Sequence, residues 1–235
     1  MVHLAPLPGA PGWRGDMGRV LELEMADAAA LVEGGVQALM VENYQDIPFH
    51  PGPVPAVTVA AMTTVINEIR RSYPDTPLGV NVLRNDVASA MGIAAATGAG
   101  FVRVNVHTGA MVTDQGTIEG QAWRTLRLRR ELGADQVAIL ADLRVKHARP
   151  VAERPLVEEA LDLRLRGLAD AIILTGAATG RGASAAELVQ VREVLPECPL
   201  IVGSGLNVST IPDFFPPADA CIVGSSLKVT DPATG

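Results

Sequence analysis

Two short segments near the end of the chain carry residues suited to holding an anion. Val202-Gly203-Ser204-Gly205 and Val223-Gly224-Ser225-Ser226 each follow a short apolar run and lead into polar sequence. Glycine lets a backbone approach a ligand closely, and free N–H groups at the start of a helix favour a negative charge. We therefore expect one phosphate between the two segments; the alternative is a pair of tight turns without a ligand. The residues assigned to the phosphate are Gly176, Gly203, Ser204, Gly205, Gly224 and Ser225.

Polar side chains also end several other apolar runs. Glu42 and Asp142 are the candidates for moving protons, because a carboxylate can act as a general acid or base. Carboxylate and amide oxygens also suit magnesium, so Mg²⁺ is a candidate cofactor. The alternative is that these side chains only satisfy one another, since an unpaired buried polar group costs about 1–3 kcal/mol. The complete set of candidate catalytic residues is Glu42, Asp142, Asn81, Arg103, Asn105 and His147.

The composition narrows the class of protein. With 235 residues, 48% of them hydrophobic, the chain can bury one large core, so a single domain over residues 1–235 is expected. A net charge of −7 and only 3% aromatic residues argue against binding of nucleic acid. The chain shows neither a signal peptide nor an apolar run long enough to span a membrane, which predicts a cytoplasmic protein. Cys198 and Cys221 are expected to be free thiols.

A repeated unit positions these residues: an amphipathic helix, a glycine turn, a buried apolar strand and a polar tip. Near-continuous β-branched runs are what strands buried on both faces require. The predicted strands lie near residues 1–5, 37–42, 77–82, 101–106, 137–142, 170–175, 199–203 and 219–223. The predicted helices lie near residues 18–33, 55–73, 86–97, 119–132, 155–167, 184–195 and 207–214. Eight strands alternating with helices predict an α/β fold, a single (β/α)8 TIM barrel with its chemistry at the carboxyl ends of the strands.

Glycine and proline refine this prediction. Glycines such as Gly98 and Gly167 stand where helices end, and each is expected to adopt the left-handed conformation of a helix cap. A doubly wound open sheet, the competing fold, would carry its Gly-rich phosphate turn after the first strand. This chain has the rigid segment Pro6-Leu7-Pro8-Gly9 there instead. The glycine pattern therefore favours the barrel.

Two loops, and the strand and helix at the two chain ends, are expected to depart from the regular repeat. Residues 44–55 hold four prolines and are predicted to form a stiff wall, whereas residues 107–116 are predicted to be a flexible loop that closes over a ligand. Either loop could instead be a contact between subunits of a homo-oligomer. The first strand begins almost at Met1, and too few residues follow Lys228 for an eighth helix. We therefore expect the first strand and the last helix to be truncated.

The sequence resembles the BtpA/SgcQ family over essentially its whole length. This resemblance implies a barrel of the ribulose-phosphate-binding type and a role in photosystem I biogenesis, while other members accompany sugar-related genes and are expected to be enzymes. It supplies no set of catalytic residues. The segments that carry the resemblance are Val2-His3-Leu4-Ala5-Pro6-Leu7-Pro8-Gly9, Met40-Val41-Glu42-Asn43, Leu78-Gly79-Val80-Asn81-Val82-Leu83-Arg84-Asn85-Asp86, Arg103-Val104-Asn105, Thr108-Gly109-Ala110-Met111-Val112-Thr113-Asp114-Gln115-Gly116, Ile139-Leu140-Ala141-Asp142, Val145-Lys146-His147 and Val223-Gly224-Ser225-Ser226-Leu227-Lys228.

Two functions remain open from the sequence. The first is an enzyme, an isomerase, lyase or hydrolase, that acts on a phosphorylated small molecule such as a sugar phosphate or a nucleotide. In it Asn81, Arg103 and Asn105 would orient the substrate. The second is a non-catalytic factor that assembles or stabilises a membrane complex such as photosystem I. The resemblance alone motivates this second hypothesis.

Overall fold

The computed structural model describes residues 1–145, 147–175, 184–203 and 205–228. Its backbone contacts divide the chain into two compact units. The first unit comprises Met1–Val104 and Trp123–Ile139, and the second comprises Asn105–Ala122 and the described part of Leu140–Gly235. A single domain over the whole chain stays a prediction.

The helices and strands follow the predicted order closely. The strands are β1 (Val2–His3), β2 (Leu39–Glu42), β3 (Leu78–Asn81), β4 (Phe101–Val104), β5 (Ala110–Thr113), β6 (Gly116–Glu119), β7 (Ala138–Arg144), β8 (Ala148–Pro150), β9 (Ala171–Thr175), β10 (Leu200–Gly203) and β11 (Ala220–Ile222). The α-helices are α1 (Met17–Glu33), α2 (Ala56–Ser72), α3 (Val87–Thr97), α4 (Ala122–Glu131), α5 (Leu156–Leu161) and α6 (Ala185–Val194). In the described ranges, no helix is long and apolar enough to cross a lipid bilayer.

The first unit is built on the parallel strands β1 to β4, paired in sequence order. Leu39, Leu78 and Val80 are fully buried in this sheet, as expected for strands covered on both faces. Position 79 must be glycine for steric reasons, because a Cβ atom there would lie only 1.9 Å from the ring of Phe101. The register places Glu42 opposite His3 on one side and Asn81 on the other.

The second unit is built on β7, β9, β10 and β11, which are also parallel and pair in that order. Ile172, Leu200 and Val202 are fully buried in their core. Gly203, the last residue of β10, lies opposite Thr175 of β9 and Ile222 of β11. The turns after β10 and β11 are therefore neighbours, as the sequence predicts.

Residues 107–116 are not a loop throughout, as predicted. Their central part forms β5, which lies in a three-stranded antiparallel sheet of order β6, β5, β8, and closure of this segment over a ligand stays a prediction. Met111 and Ile118 pack on Val106 and Val145 beneath this sheet, while Val112 is 49% exposed. This alternation of buried and exposed side chains is the signature of a strand. Its polar residues and glycines made the segment look like a loop.

Two predicted helices are also corrected. The helix expected over residues 155–167 is α-helical only to Leu161 and continues as a π-helix over Asp162–Arg166. The helix expected over residues 207–214 is a single 3₁₀ turn, Ile211–Phe214. In the second case the side chain of Asn207 accepts bonds from the N–H groups of Ser209 and Thr210, a local turn that competes with a helix.

The predicted left-handed conformation is found at the glycines that follow α1, α3 and α4 but not at Gly167. Gly98 ends α3 with φ +72°, as expected. Gly167 has φ −77°, and the left-handed residue is Leu168, with φ +55°. Gly167 is needed for space instead, because a Cβ there would lie 2.7 Å from the Leu163 carbonyl oxygen and 2.8 Å from Thr108 Cγ2.

Candidate functional site

In the first unit, Glu42 is held between an amide and an imidazole. Glu42 is buried at the end of β2, and Asn81 Nδ2 donates a 2.5 Å hydrogen bond to its Oε1. His3 Nε2 lies 3.6 Å from Glu42 Oε2, and the His3 ring stacks on Tyr44 with 4.3 Å between centroids. A carboxylate beside an imidazole of fixed orientation is a group that can exchange protons. Two predicted site residues, Glu42 and Asn81, are thus brought together.

His3 is a member of this cluster that the sequence reasoning missed. It is separated from Glu42 by most of a strand–helix–strand unit, and only the parallel register of β1 and β2 places the two side by side. The available signal was a single ionisable residue inside the apolar first strand. Arg103, the third predicted residue in this unit, lies half-buried in β4.

The base of the loop over residues 44–55 is fixed by side chains of the first unit. Asn43 Oδ1 accepts a 2.7 Å bond from Leu83 N–H, and Asp46 Oδ1 accepts a 2.8 Å bond from Leu7 N–H. Burial raises the pKa of Asp46, against the lowering effect of the hydrogen bonds from Leu7 and Asn43 and of the charge on His50. Asp86 Oδ2 accepts a 2.9 Å bond from Val54 N–H at the far end of the loop.

In the second unit, Asn105 and Asp142 form a buried pair. Asn105 Nδ2 donates a 2.8 Å hydrogen bond to Asp142 Oδ2, and the two residues are only 4% exposed. Asn105 Oδ1 is buried and has no hydrogen-bond partner among the described residues. Most buried polar atoms in proteins have a partner, so this oxygen is an acceptor that the described protein does not use.

The two histidines predicted in loops have different surroundings. His147 is exposed in the turn between β7 and β8, with φ +59°. His107 is 1% exposed, and its Nε2 lies 2.9 Å from the carbonyl oxygen of Gly167. His107 therefore ties the base of the antiparallel sheet to the end of the π-helix. The catalytic role of His147 stays a prediction.

The glycine turns after β10 and β11 are fastened to each other. Ser226 Oγ donates a 2.6 Å hydrogen bond to the carbonyl oxygen of Leu206. Among the described residues, the backbone N–H groups of Gly205, Gly224 and Ser225 have no protein acceptor. Donors of this kind can hold an anion. Two of the predicted phosphate residues, Gly176 and Ser204, lie outside the described residues.

The described residues contain no group of three or more His, Cys, Asp or Glu side chains that could hold a metal ion. Asp142 is the only carboxylate in its pair with Asn105. Magnesium often binds through one or two carboxylates and completes its shell with substrate phosphates and water. Magnesium therefore stays a predicted cofactor.

Solved structures show which fold this arrangement represents. The chain resembles a native structure of KDPGal with a TM-score of 0.55 and 14% identity, over 86% of this chain and 76% of the other. It resembles KGPDC from Streptococcus mutans with a TM-score of 0.53 and 14% identity, over 87% and 82% of the two chains. Likeness at this identity shows the fold alone. The chain has the α/β fold of the (β/α)8 TIM-barrel class, as predicted.

Sequence comparison gives the family. The chain is 45% identical to the photosystem I biogenesis protein BtpA of Synechocystis, over 97% of this chain and 79% of that protein. It is 44% identical to an uncharacterized protein of Thermococcus kodakarensis, over 97% and 85% of the two chains, and 32% identical to an uncharacterized mitochondrial protein of Caenorhabditis elegans, over 97% and 84%. The model of the BtpA family matches residues 1–233. The chain belongs to the BtpA family.

Proposed function

We propose that this protein is an enzyme that acts on a phosphorylated small molecule, with the phosphate bound by the turns after β10 and β11. The observation that carries the proposal is the pair of adjacent turns in which the N–H groups of Gly205, Gly224 and Ser225 have no protein acceptor in the described part of the chain. In TIM barrels, the loops after the seventh and eighth parallel strands commonly bind phosphate. β10 and β11 are the last two parallel strands described here.

The hydrogen bonding between these turns supports the view that they bind an anion and are not simply tight turns without a ligand. The Ser226–Leu206 hydrogen bond fixes one turn against the other, so N–H groups from both strands are held in place before a ligand arrives. Preorganised donors lose little free energy in ordering when they bind. The chain carries a net charge of −7, but backbone dipoles attract a phosphate locally without a basic side chain.

The second unit also supplies a group for proton transfer. Asp142 is the proposed general acid or base, and Asn105 fixes its orientation through the 2.8 Å hydrogen bond. Positioning a catalytic carboxylate lowers the entropic part of the barrier. In the first unit, Glu42 beside His3 is a second candidate pair for proton transfer, and replacing each carboxylate separately will assign the roles.

Calorimetry with inorganic phosphate tests the anchor. We expect saturable binding by the natural chain and its loss in Gly224→Asp, because a carboxylate would stand where the anion binds. Gly52→Asp is the matched control, since Gly52 is exposed in a loop of the first unit and a Cβ there meets nothing within 4 Å. Equal phosphate affinity in Gly224→Asp and the natural chain would refute the anchor.

A second function, assistance in assembling a membrane complex, is favoured by one observation: the 45% identity to a photosystem I biogenesis protein. This chain is also 44% identical to a protein of Thermococcus and 32% identical to a protein of a nematode, which has no photosystem, and this distribution favours an activity of wider use. The variant Asp142→Asn separates the two functions in Synechocystis cells that lack their own BtpA. A purely structural factor would restore photosystem I content with this variant, whereas an enzyme would not.

A further inference from the structure

We infer that Asn105 and Asp142 form a hydroxyl-binding subsite, which selects phosphate esters with a polyhydroxylated carbon chain over other phosphorylated molecules. The inference rests on the proposed phosphate anchor and adds the substrate class. It starts from Asn105 Oδ1, which has no hydrogen-bond partner in the described part of the protein. The amide nitrogen of the same side chain donates to Asp142 and is not available to a ligand.

The type of ligand group that can bond to Asn105 follows from the chemistry of its amide oxygen. An amide oxygen accepts hydrogen bonds and cannot donate them. Its partner must therefore bring an O–H or N–H group, and a carbonyl, an ether or a phosphate oxygen would be repelled. Asn105 is 4% exposed, so the ligand must reach a buried position. The free-energy cost of an acceptor without a hydrogen bond is largest in such a position. A sugar hydroxyl satisfies both conditions.

The orientation of Asn105 gives the subsite its selectivity. Because Nδ2 is held by Asp142 at 2.8 Å, the amide cannot rotate to present its NH2 group without breaking a bond to a buried carboxylate. The carboxylate thus fixes the oxygen as the atom offered to a ligand. A site built to bond a hydroxyl rejects analogues that lack it far more strongly than an apolar pocket rejects a missing methylene.

Strand register estimates the length of the ligand. Asp142 is level with Ile173 of β9 and Ile201 of β10. Gly203 is two residues further along β10, so two strand spacings and two residues separate it from Asp142, roughly 12 Å between Cα atoms. The N–H groups of the anchor, on Gly205, Gly224 and Ser225, follow the ends of β10 and β11, so a ligand that reaches both the anchor and the subsite must be an extended phosphate ester of several carbons.

The test compares D-ribose 5-phosphate with n-pentyl phosphate, which has the same phosphate and no hydroxyl groups. We expect the natural chain to bind D-ribose 5-phosphate at least about tenfold more tightly by calorimetry. In Asn105→Ala the two affinities should become nearly equal, while the affinity for inorganic phosphate is unchanged. Asn43→Ala is the matched control, since Asn43 is also a buried amide that donates to a carboxylate, that of Asp46, but belongs to the first unit, and it should keep the preference.

Each outcome has a distinct meaning. Equal affinity of the natural chain for the two esters, with inorganic phosphate still bound, overturns the hydroxyl subsite and leaves the phosphate anchor standing. Failure to bind inorganic phosphate overturns both. A preference that requires added Mg²⁺ and disappears with EDTA overturns direct bonding to Asn105, because a metal would then hold the hydroxyls. The comparison on the natural chain needs no variant, so misfolding of Asn105→Ala cannot obscure it.

Discussion

The carboxyl ends of the strands are built differently in the two units. In the first unit, Glu42 and Asn81 bond each other, and the loop beyond β2 is fastened by Asn43 and Asp86. In the second unit, the turns after β10 and β11 leave backbone donors without protein acceptors, and Asn105 leaves an oxygen without a donor. Polar groups that bond to other protein groups specify a rigid structure, whereas polar groups without a protein partner keep capacity for a ligand.

This difference assigns separate tasks to the two sets of residues. Bonds such as Asn43 Oδ1 to Leu83 N–H stabilise the folded chain whether or not a ligand is present. The open groups of the second unit make no hydrogen bond to the described part of the protein, so a ligand can bond to them without breaking a protein contact. Replacements in the first unit should therefore lower stability, and those at the open groups should mainly lower affinity.

The largest loss of stability is expected for Asp86→Ala. Asp86 caps α3 through bonds to the N–H and hydroxyl of Ser89 and also accepts from Val54 N–H. Losing the cap and leaving buried donors unpaired should cost about 2–4 kcal/mol in urea unfolding. Asp16→Ala is the control: Asp16 caps α1 through one exposed bond to Arg19 N–H, and its loss should cost about 1 kcal/mol. Equal losses would contradict the fastening role of Asp86.

The next effect tests packing in the second unit. Gly167→Ala places a Cβ 2.7 Å from a carbonyl oxygen and 3.2 Å from the ring of His107, which should lower the free energy of unfolding by about 1–3 kcal/mol. Gly92→Ala in α3 meets nothing within 4 Å and should raise it by about 0.5–1 kcal/mol. A neutral Gly167→Ala would show that the contact between the antiparallel sheet and the π-helix is loose.

The two buried amides sharpen the comparison between the units. Asn81→Ala removes a bond to a buried carboxylate and should cost about 1.5–3 kcal/mol. Asn105→Ala removes a similar bond but also removes an oxygen that was buried without a partner, so its cost should be smaller by about 1 kcal/mol. Thermal and urea unfolding of the free protein measure both. A larger loss for Asn105→Ala would mean that its oxygen is satisfied in solution.

The smallest effect depends on pH. Partial burial alone would raise the pKa of Asp219, but the hydrogen bonds from Leu200 N–H and Arg192 and the charge of Arg192 lower it below its ordinary value of 3.8. A carboxyl whose pKa is lowered on folding stabilises the protein above its unfolded pKa, and this contribution disappears as the pH falls through the folded pKa. Asp219→Asn should therefore narrow the difference in melting temperature between pH 6 and pH 3. An unchanged difference would exclude a contribution from Asp219.

The sequence predicted the sheet better than the site. Apolar runs such as Leu200–Gly203 are confirmed as strands, because burial on both faces leaves a nearly continuous apolar signal. The antiparallel sheet was missed because glycine and polar residues interrupt its alternation. The proximity of Glu42 and Asn81 followed from neighbouring strand ends, whereas His3 required the register of β1, and no local pattern records the orphaned oxygen of Asn105.

The central claim, that the glycine turns of the second unit bind a phosphate, is tested most directly by an amide-resolved NMR titration with inorganic phosphate. The account predicts saturable shifts of the amide signals of Gly205, Gly224 and Ser225, with one common dissociation constant. The side-chain amide of Asn81 should not move. Saturable shifts confined to the first unit, or no saturation at Gly224 and Ser225, would contradict the claim.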